Sequence, residues 1–127
     1  FAGDGCFQMT AQELGTIAQH GLNALFLVIN NGIFGTIRMH QEREYPGHVY
    51  ATDLVNPDFA ALARAYGLHG ETLERTEDIA EVLDRALGIG GPALIDCRIA
   101  AEGISPGTTL SAIRDRAMAA QQAHAGT

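Results

Sequence analysis

The chain has 127 residues, of which 46% are apolar and 18% are charged, and this is enough for one globular domain with a hydrophobic core. Eight basic residues against 15 acidic residues give a formal net charge of -7, which argues against a general nucleic-acid surface because such surfaces are basic. No apolar stretch has the length of a transmembrane helix. The two cysteines, Cys6 and Cys97, indicate no disulfide framework, so we expect a cytoplasmic location.

The first third of the chain has the pattern of a strand, a loop, a helix and a second strand. Phe1-Ala2 is typical of the end of a strand, so we expect that sequence is missing before it and that the chain is a fragment of a larger protein. Thr10-Ala11-Gln12-Glu13 is a capping-box pattern, which predicts a helix that Thr10 caps and Gly21 ends. The apolar run from Ala24 to Ile29 predicts a strand buried on both faces of a parallel sheet.

The middle of the chain predicts two helices separated by a loop. Residues 35 to 43 form the first of these predicted helices, and residues 44 to 55 form the loop. Asn56-Pro57 is typical of a helix start, with Asn as the cap and Pro at the first helical position. Gly67 is expected to end this second helix.

The last part of the chain continues the alternation of strands and helices. We expect a short strand from Glu71 to Leu73, a helix capped by Thr76, a final strand from Ala93 to Ile99 and a helical tail over residues 109 to 122. This order predicts an α/β fold, namely a three-layer, open, mostly parallel sheet with helices on both faces, truncated at its N-terminus.

Two short motifs follow the first two predicted strands. Gly3-Asp4-Gly5 follows the first strand and Asn30-Asn31 follows the second, with 24 residues between the motifs. Because ligands of open α/β sheets bind beyond the carboxyl ends of the strands, both motifs are expected at one ligand-binding edge. Asp4 offers a carboxylate oxygen and Asn31 an amide oxygen, and Mg²⁺ prefers such oxygen ligands together with phosphate.

Each motif also has a plainer interpretation. Taken alone, Gly3-Asp4-Gly5 and Asn30-Asn31 are typical turn sequences, and only their pairing after two strands favours a metal site. A dinucleotide fingerprint is excluded because Gln8 stands where that fingerprint needs Gly. Cys6 is expected to be a small packing residue rather than a nucleophile, since no His is placed to be its base.

The pair of motifs resembles the binding motif of thiamine diphosphate enzymes, which opens with GDG and closes with NN. The chain is similar to the C-terminal cofactor domain of the acetolactate synthase and 2-keto acid decarboxylase family. The resemblance implies that residues 1–127 form a thiamine diphosphate- and Mg²⁺-binding (pyrophosphate) domain of an enzyme that decarboxylates or ligates 2-keto acids. The resemblance to this family extends to three further segments: Gly35-Thr36-Ile37-Arg38, Asn56-Pro57-Asp58-Phe59-Ala60 and Gly91-Pro92-Ala93-Leu94-Ile95.

The resemblance also implies a set of site residues. The metal ligands would be Asp4, Asn31 and the backbone carbonyl of Ile33. The cofactor-binding residues would be Gly3, Asp4, Gly5, Cys6, Phe7, Asn31, Ile33 and Phe34. The candidates for the substrate pocket would be Ile37, Arg38, His40 and Gln41. Of these, Arg38 has the forked guanidinium that suits a substrate carboxylate.

Other parts of the active site are implied to lie outside this chain. In the family, a glutamate from another domain of a partner subunit promotes activation of the cofactor, and nothing in this chain matches it. We therefore expect the chain alone to be inactive, and the full enzyme to be a homodimer or homotetramer with further N-terminal domains. Two other functions stay open: a catalytically silent fold relic or interaction module, and a nucleotide-binding α/β domain.

Overall fold

The computed structural model describes residues 1–125, which form two compact units. The first unit comprises Phe1–Asn31 and Val55–Ile99, and the second comprises Gly32–Leu54 and the segment from Ala100 onward. The strands are β1 (Ala2–Gly3), β2 (Leu25–Asn30), β3 (His69–Leu73), β4 (Ala93–Arg98), β5 (Gly103–Ser105) and β6 (Thr108–Thr109). The α-helices are α1 (Asp4–Gln8), α2 (Leu14–His20), α3 (Gly35–Glu44), α4 (Phe59–Ala65), α5 (Ile79–Gly88) and α6 (Leu110–Ala125). Among these residues, no helix combines the length and the apolar character that a membrane crossing requires.

The first unit is built on a four-stranded parallel sheet with the strand order β1-β2-β4-β3. Gly3 pairs with Ile29, and Asn30 pairs with Arg98. The carboxyl ends of β1, β2 and β4 therefore meet at one edge of the sheet, as the sequence predicts for the two motifs. Parallel strands need crossover connections, and the helices between the strands supply them.

Helices cover both faces of this sheet. Successive side chains of a strand point to opposite faces. Val28 and Leu94 pack with Phe59 of α4 in one buried cluster, whereas Ala93 packs with Val82 of α5 in the other. The predicted three-layer α/β arrangement is therefore confirmed.

Two of the predicted helix caps are wrong, although the helices lie where the sequence places them. The chain enters α2 and α5 through short 3-10 turns at Ala11–Glu13 and Thr76–Asp78. Thr10 adopts a conformation with ψ near 13° and makes no capping hydrogen bond through its side chain. Thr76 lies inside its turn rather than before it, so its hydroxyl does not cap the helix either.

The predicted start of α4 is also corrected. The helix begins at Phe59, and its cap is Asp58, whose Oδ1 accepts a hydrogen bond from the N–H of Ala61 at 2.8 Å. Asn56 lies two residues before this cap, and its side chain makes other contacts. The predicted end of α4 agrees with the structure, since Gly67 follows the helix with a left-handed φ of 81°.

The second unit contains α3, the loop after it, the β5-β6 hairpin and α6. The predicted helices at residues 35–43 and 109–122 are confirmed, whereas the antiparallel β5-β6 hairpin is not predicted by the sequence. Glu42 of α3 is buried and accepts hydrogen bonds from Arg114 Nη1 of α6 at 3.2 Å and from the N–H of Gly47 at 3.1 Å. A buried carboxylate needs such partners, and these bonds join α3 to the loop and to α6.

Candidate functional site

The site begins where β1 ends and α1 starts. Asp4 is the first residue of α1 and is buried, although its side chain is ionisable. Its Oδ1 accepts a hydrogen bond from the N–H of Gly5 at 2.9 Å, and its Oδ2 accepts one from Asn56 Nδ2 at 2.7 Å. Burial of a carboxylate is unfavourable unless it accepts hydrogen bonds, so these donors hold Asp4 in one orientation at the edge of the sheet.

Asn30 is the corresponding residue at the end of β2. It is buried, its Nδ2 donates to Asp96 Oδ1 at 2.9 Å, and its Oδ1 accepts from Asn56 Nδ2 at 2.8 Å. Asp4 and Asn30 thus share one donor nitrogen, which brings the two sequence motifs together in space. Asn31 follows Asn30 directly and is partly exposed.

Asn56 is the residue of this cluster that sequence reasoning missed. The sequence predicts it as a helix cap, but Asp58 takes that role and Asn56 turns to the sheet edge. Gln8 Nε2 of α1 donates to Asn56 Oδ1 at 2.5 Å. The signal in the sequence is the segment Asn56-Pro57-Asp58, which offers two capping side chains for a single helix.

Asp96 of β4 is the second residue that sequence reasoning missed. It is completely buried, and Arg98 Nε donates to its Oδ2 at 2.9 Å while Asn30 occupies its Oδ1. The signal is a single carboxylate in a strand whose other residues, apart from Arg98, are apolar. Burial raises the pKa of the neighbouring Cys97 thiol, and the charge of Asp96 raises it further, so Cys97 is a poor nucleophile.

The backbone around Gly3 is open to a ligand. A Cβ placed on Gly3 would meet no atom within 4 Å. Cys6 is exposed, whereas the ring of Phe7 is buried 5.5 Å from the ring of Phe59, measured between centroids. Cys6 is therefore accessible, whereas the side chain of Phe7 belongs to the core. The N–H of Gly5, a further predicted cofactor-binding residue, donates to Asp4 Oδ1 at 2.9 Å.

The other predicted cofactor residues belong to the second unit. Ile33 is buried and forms an isolated antiparallel bridge with Asp53. The N–H of Phe34 donates to the carbonyl of Thr52 at 2.8 Å, and the ring of Phe34 is partly exposed. Gly32 has a left-handed φ of 70°, a conformation that residues with side chains rarely adopt.

The predicted substrate-pocket residues lie on α3 and differ in their surroundings. Arg38 Nη1 donates to Thr52 Oγ1 at 2.7 Å and to Asp53 Oδ1 at 3.1 Å. Gln41 makes hydrogen bonds with both the carbonyl and the N–H of Tyr50. These two side chains hold the loop that follows α3.

The remaining two pocket candidates are more exposed. His40 Nδ1 lies 2.6 Å from Arg43 Nη2 on the surface of α3. Ile37 is 53% exposed, which makes it the apolar candidate with room to contact a ligand.

The donor set of the sheet edge suits a hard cation that is shared with a phosphate. Within residues 1–125, no group of three or more His, Cys, Asp or Glu side chains could hold a metal ion. Mg²⁺ does not need such a group, because it is commonly bound through one or two carboxylates, water and the oxygens of a phosphate ligand. Asp4 has a carboxylate at this edge, and Asn31, whose side chain has an amide oxygen, follows the end of the neighbouring strand.

Comparison with known proteins gives one consistent result. Residues 1–97 match the family described as "Thiamine pyrophosphate enzyme, C-terminal TPP binding domain". The chain is 40% identical over 100 residues to an acetolactate synthase of Arthrospira platensis and 42% identical over 106 residues to one of Mycobacterium bovis (strain ATCC BAA-935 / AF2122/97). These alignments cover 77% and 79% of the chain but only 17% of each relative, so the chain spans a small part of their length.

A solved structure shares the fold. The benzoylformate decarboxylase from Polynucleobacter necessarius matches 79% of the chain with a TM-score of 0.71 and 28% sequence identity. The match uses 19% of that decarboxylase chain. Sequence and structure therefore indicate similarity to the same class of proteins.

Proposed function

Because this chain belongs to the C-terminal TPP-binding domain family of thiamine pyrophosphate enzymes, we propose that it binds the diphosphate of thiamine diphosphate through Mg²⁺. The observation that carries the proposal is the hydrogen bonding of Asn56 Nδ2 to both Asp4 and Asn30. These two hydrogen bonds from one nitrogen join the two motifs, which are far apart in the sequence, at the carboxyl edge of a parallel sheet. Such edges bind the ligands of open α/β folds.

The proposed Mg²⁺ ligands from this chain are the Asp4 carboxylate, the side-chain oxygen of Asn31 and the backbone carbonyl of Ile33. Phosphate oxygens and water complete the preferred octahedron of Mg²⁺. A backbone ligand is compatible with the apolar side chain of Ile33, which is buried in the protein. The net charge of -7 supports a metal-bridged diphosphate, because the chain has few basic side chains to neutralise it.

The proposed contacts to the diphosphate come mainly from the backbone. Gly3 leaves room for close approach, and the N–H of Cys6 lies in the first turn of α1, before the first residue whose N–H has an acceptor within the helix. Phe7 follows Cys6 in the proposed set. Together with Gly5 and with Phe34 before α3, they form the rest of the proposed cofactor-binding set. These contacts position the cofactor without placing basic side chains beside it.

We assign the whole enzyme to the lyases or transferases that decarboxylate or ligate 2-keto acids, most like acetolactate synthase. Bound thiamine diphosphate supplies an electron sink for cleavage or formation of a bond next to a carbonyl group. Further domains and a second subunit would complete the active site, in a homodimer or homotetramer of the cytoplasm. The proposed pocket residues are Ile37, Arg38, His40 and Gln41, of which Arg38 would exchange its bond to Asp53 for a substrate carboxylate.

The test is titration calorimetry of the complete protein with thiamine diphosphate at a saturating Mg²⁺ concentration. Asp4→Ala removes a direct metal ligand, so the affinity should fall by more than the about 10–100-fold that loss of an outer partner costs. Asp84→Ala is the matched control, because Asp84 is an exposed aspartate on α5, and it should leave the affinity unchanged.

Three results would contradict the proposal. Unchanged affinity in Asp4→Ala would show that Asp4 is not a metal ligand. Absence of any binding by the unmodified protein would favour a fold relic or an interaction module. Displacement of thiamine diphosphate by a tighter-binding nucleotide in a thermal-shift competition would favour a nucleotide-binding domain.

A further inference from the structure

We propose that Asn56 is a positioning residue for Asp4, and that its side-chain amide sets the carboxylate in the orientation that the metal requires. The inference rests on the proposed function, because it concerns the same Mg²⁺ and diphosphate site. The sequence predicts Asn56 only as a helix cap and not as a site residue. It comes from the loop before α4, 52 positions after Asp4.

The first step is the use of both hydrogens of the Asn56 amide. An asparagine side chain has two N–H donors on one nitrogen. Asn56 Nδ2 lies 2.7 Å from Asp4 Oδ2 and 2.8 Å from Asn30 Oδ1, so each hydrogen has an acceptor at the end of a different strand. The amide is itself oriented by Gln8 Nε2, which donates to Asn56 Oδ1.

The second step is that Asn30, the other residue that Asn56 contacts, is itself held in the sheet. Asn30 does not move independently of the sheet, because its Nδ2 donates to Asp96 Oδ1 at 2.9 Å. Asp96 is completely buried in β4 and accepts from Arg98 Nε through its other oxygen. The hydrogen bonds therefore run without a gap from Arg98 through Asp96, Asn30 and Asn56 to Asp4. Satisfied networks of this kind make a buried site rigid.

The third step separates this role from helix capping. Asp58 caps α4 through its bond to the N–H of Ala61, so the start of that helix does not depend on the Asn56 side chain. Asn56 instead turns its amide to Asp4 at the edge of the sheet. Ligating carboxylates are generally fixed by outer hydrogen-bond partners, whose loss weakens metal binding. Asn56 has the geometry of such a partner.

The experiment is calorimetric titration of the complete protein with thiamine diphosphate at saturating Mg²⁺. Asn56→Ala is expected to weaken binding by about 10–100-fold. In the double variant with Asp4→Ala, the loss should equal that of Asp4→Ala alone, because a residue that acts through Asp4 has no effect once Asp4 is gone. A general structural effect of Asn56 would add to the effect of Asp4→Ala instead.

Asp58→Ala is the matched control, since it changes the same loop without touching the network. It should lower the melting temperature of the ligand-free protein through loss of the helix cap, and it should leave the affinity unchanged. If Asn56→Ala does not fold, Asn56→Ser replaces it. A serine hydroxyl has one donor hydrogen and cannot serve both Asp4 and Asn30.

The outcomes separate the inference from the proposed function. Wild-type affinity in the Asn56 variants, combined with lost affinity in Asp4→Ala, would overturn the positioning role and leave the proposed function standing. An additive double variant, or an equal loss of affinity in Asp58→Ala, would also overturn the positioning role. Unchanged affinity in Asp4→Ala would overturn both.

Discussion

The two units of this chain each bury a carboxylate in a network of polar side chains, but they do so with different partners. In the second unit, Glu42 is bonded to the guanidinium of Arg114, and Arg38 Nε lies 3.9 Å from the same carboxylate. In the first unit, Asp4 takes hydrogen bonds from the neutral donors of Gly5 and Asn56.

This difference separates a structural carboxylate from a candidate ligand. An arginine neutralises the charge of a carboxylate and holds it in an ion pair. An amide fixes the orientation of a carboxylate but leaves its charge in place. Glu42 therefore serves the stability of its unit, whereas the hydrogen bonds from Gly5 and Asn56 fix the orientation of Asp4 for its proposed role as a metal ligand.

Glu42→Ala should have the largest effect on stability. It leaves Arg114 and the N–H of Gly47 without the carboxylate that they contact. Removal of one partner of a buried ion pair costs about 3–5 kcal/mol, and we expect the low end because Arg114 is partly exposed. The measurement is urea denaturation of the 127-residue chain.

Glu44→Ala is the control for that substitution. Glu44 and its partner Arg43 are both largely exposed, so its loss should change the free energy of unfolding by less than about 1 kcal/mol. If both substitutions changed the free energy of unfolding equally, the buried carboxylate of Glu42 would stabilise the chain no more than a surface carboxylate does.

Asp96→Asn tests the first unit and should have a smaller effect. The substitution keeps the shape of the side chain, but it places an amide where the Oδ atoms accept from Asn30 and Arg98. One of these donors then faces another donor, and an unsatisfied buried group costs about 1–3 kcal/mol. Denaturation in urea measures this loss, with Asp84→Asn as the exposed control. A stability equal to that of the unmodified chain would show that the network does not hold the sheet edge.

The parts that the sequence predicts correctly are those with a regular repeat. The apolar runs that form β2 and β4 are typical of buried strands, and their parallel order follows from the helices between them. The shared edge of Asp4 and Asn30 then follows from topology alone. The order of strands and helices is therefore enough to assign a motif at the end of a strand to the ligand-binding edge.

The parts that the sequence does not predict depend on a choice between equivalent local partners. Asn56 and Asp58 are both good helix caps, and only the position of the acceptors around Asp4 decides that Asn56 turns away. Thr10 fails as a cap because a 3-10 turn precedes α2, a feature with no clear signature in composition. Asp96 is hard to identify as a site residue from the sequence. Its partner Asn30 is 66 positions away, and its partner Arg98 is two positions further along the same strand.

The smallest expected effect is a difference between the alkylation rates of the two cysteines. Its measurement needs no substitution. Cys6 is exposed in α1, next to the proposed diphosphate contacts. Burial raises the pKa of the Cys97 thiol, and the charge of Asp96 adds to this shift. At about pH 8, a smaller fraction of Cys97 is therefore thiolate than for a cysteine with the ordinary pKa. Iodoacetamide should therefore modify Cys6 first, as peptide mass spectrometry would detect.

The same labelling tests the proposed cation site at Asp4 when the cofactor is added to the complete protein. Thiamine diphosphate with Mg²⁺ should slow the alkylation of Cys6, because the proposed site covers α1, and should leave the rate at Cys97 unchanged. The cofactor without the metal should protect Cys6 less, since Asp4 would then repel the diphosphate instead of sharing a cation with it. Equal protection with and without Mg²⁺ would argue that a cation bound at Asp4 has no part in cofactor binding.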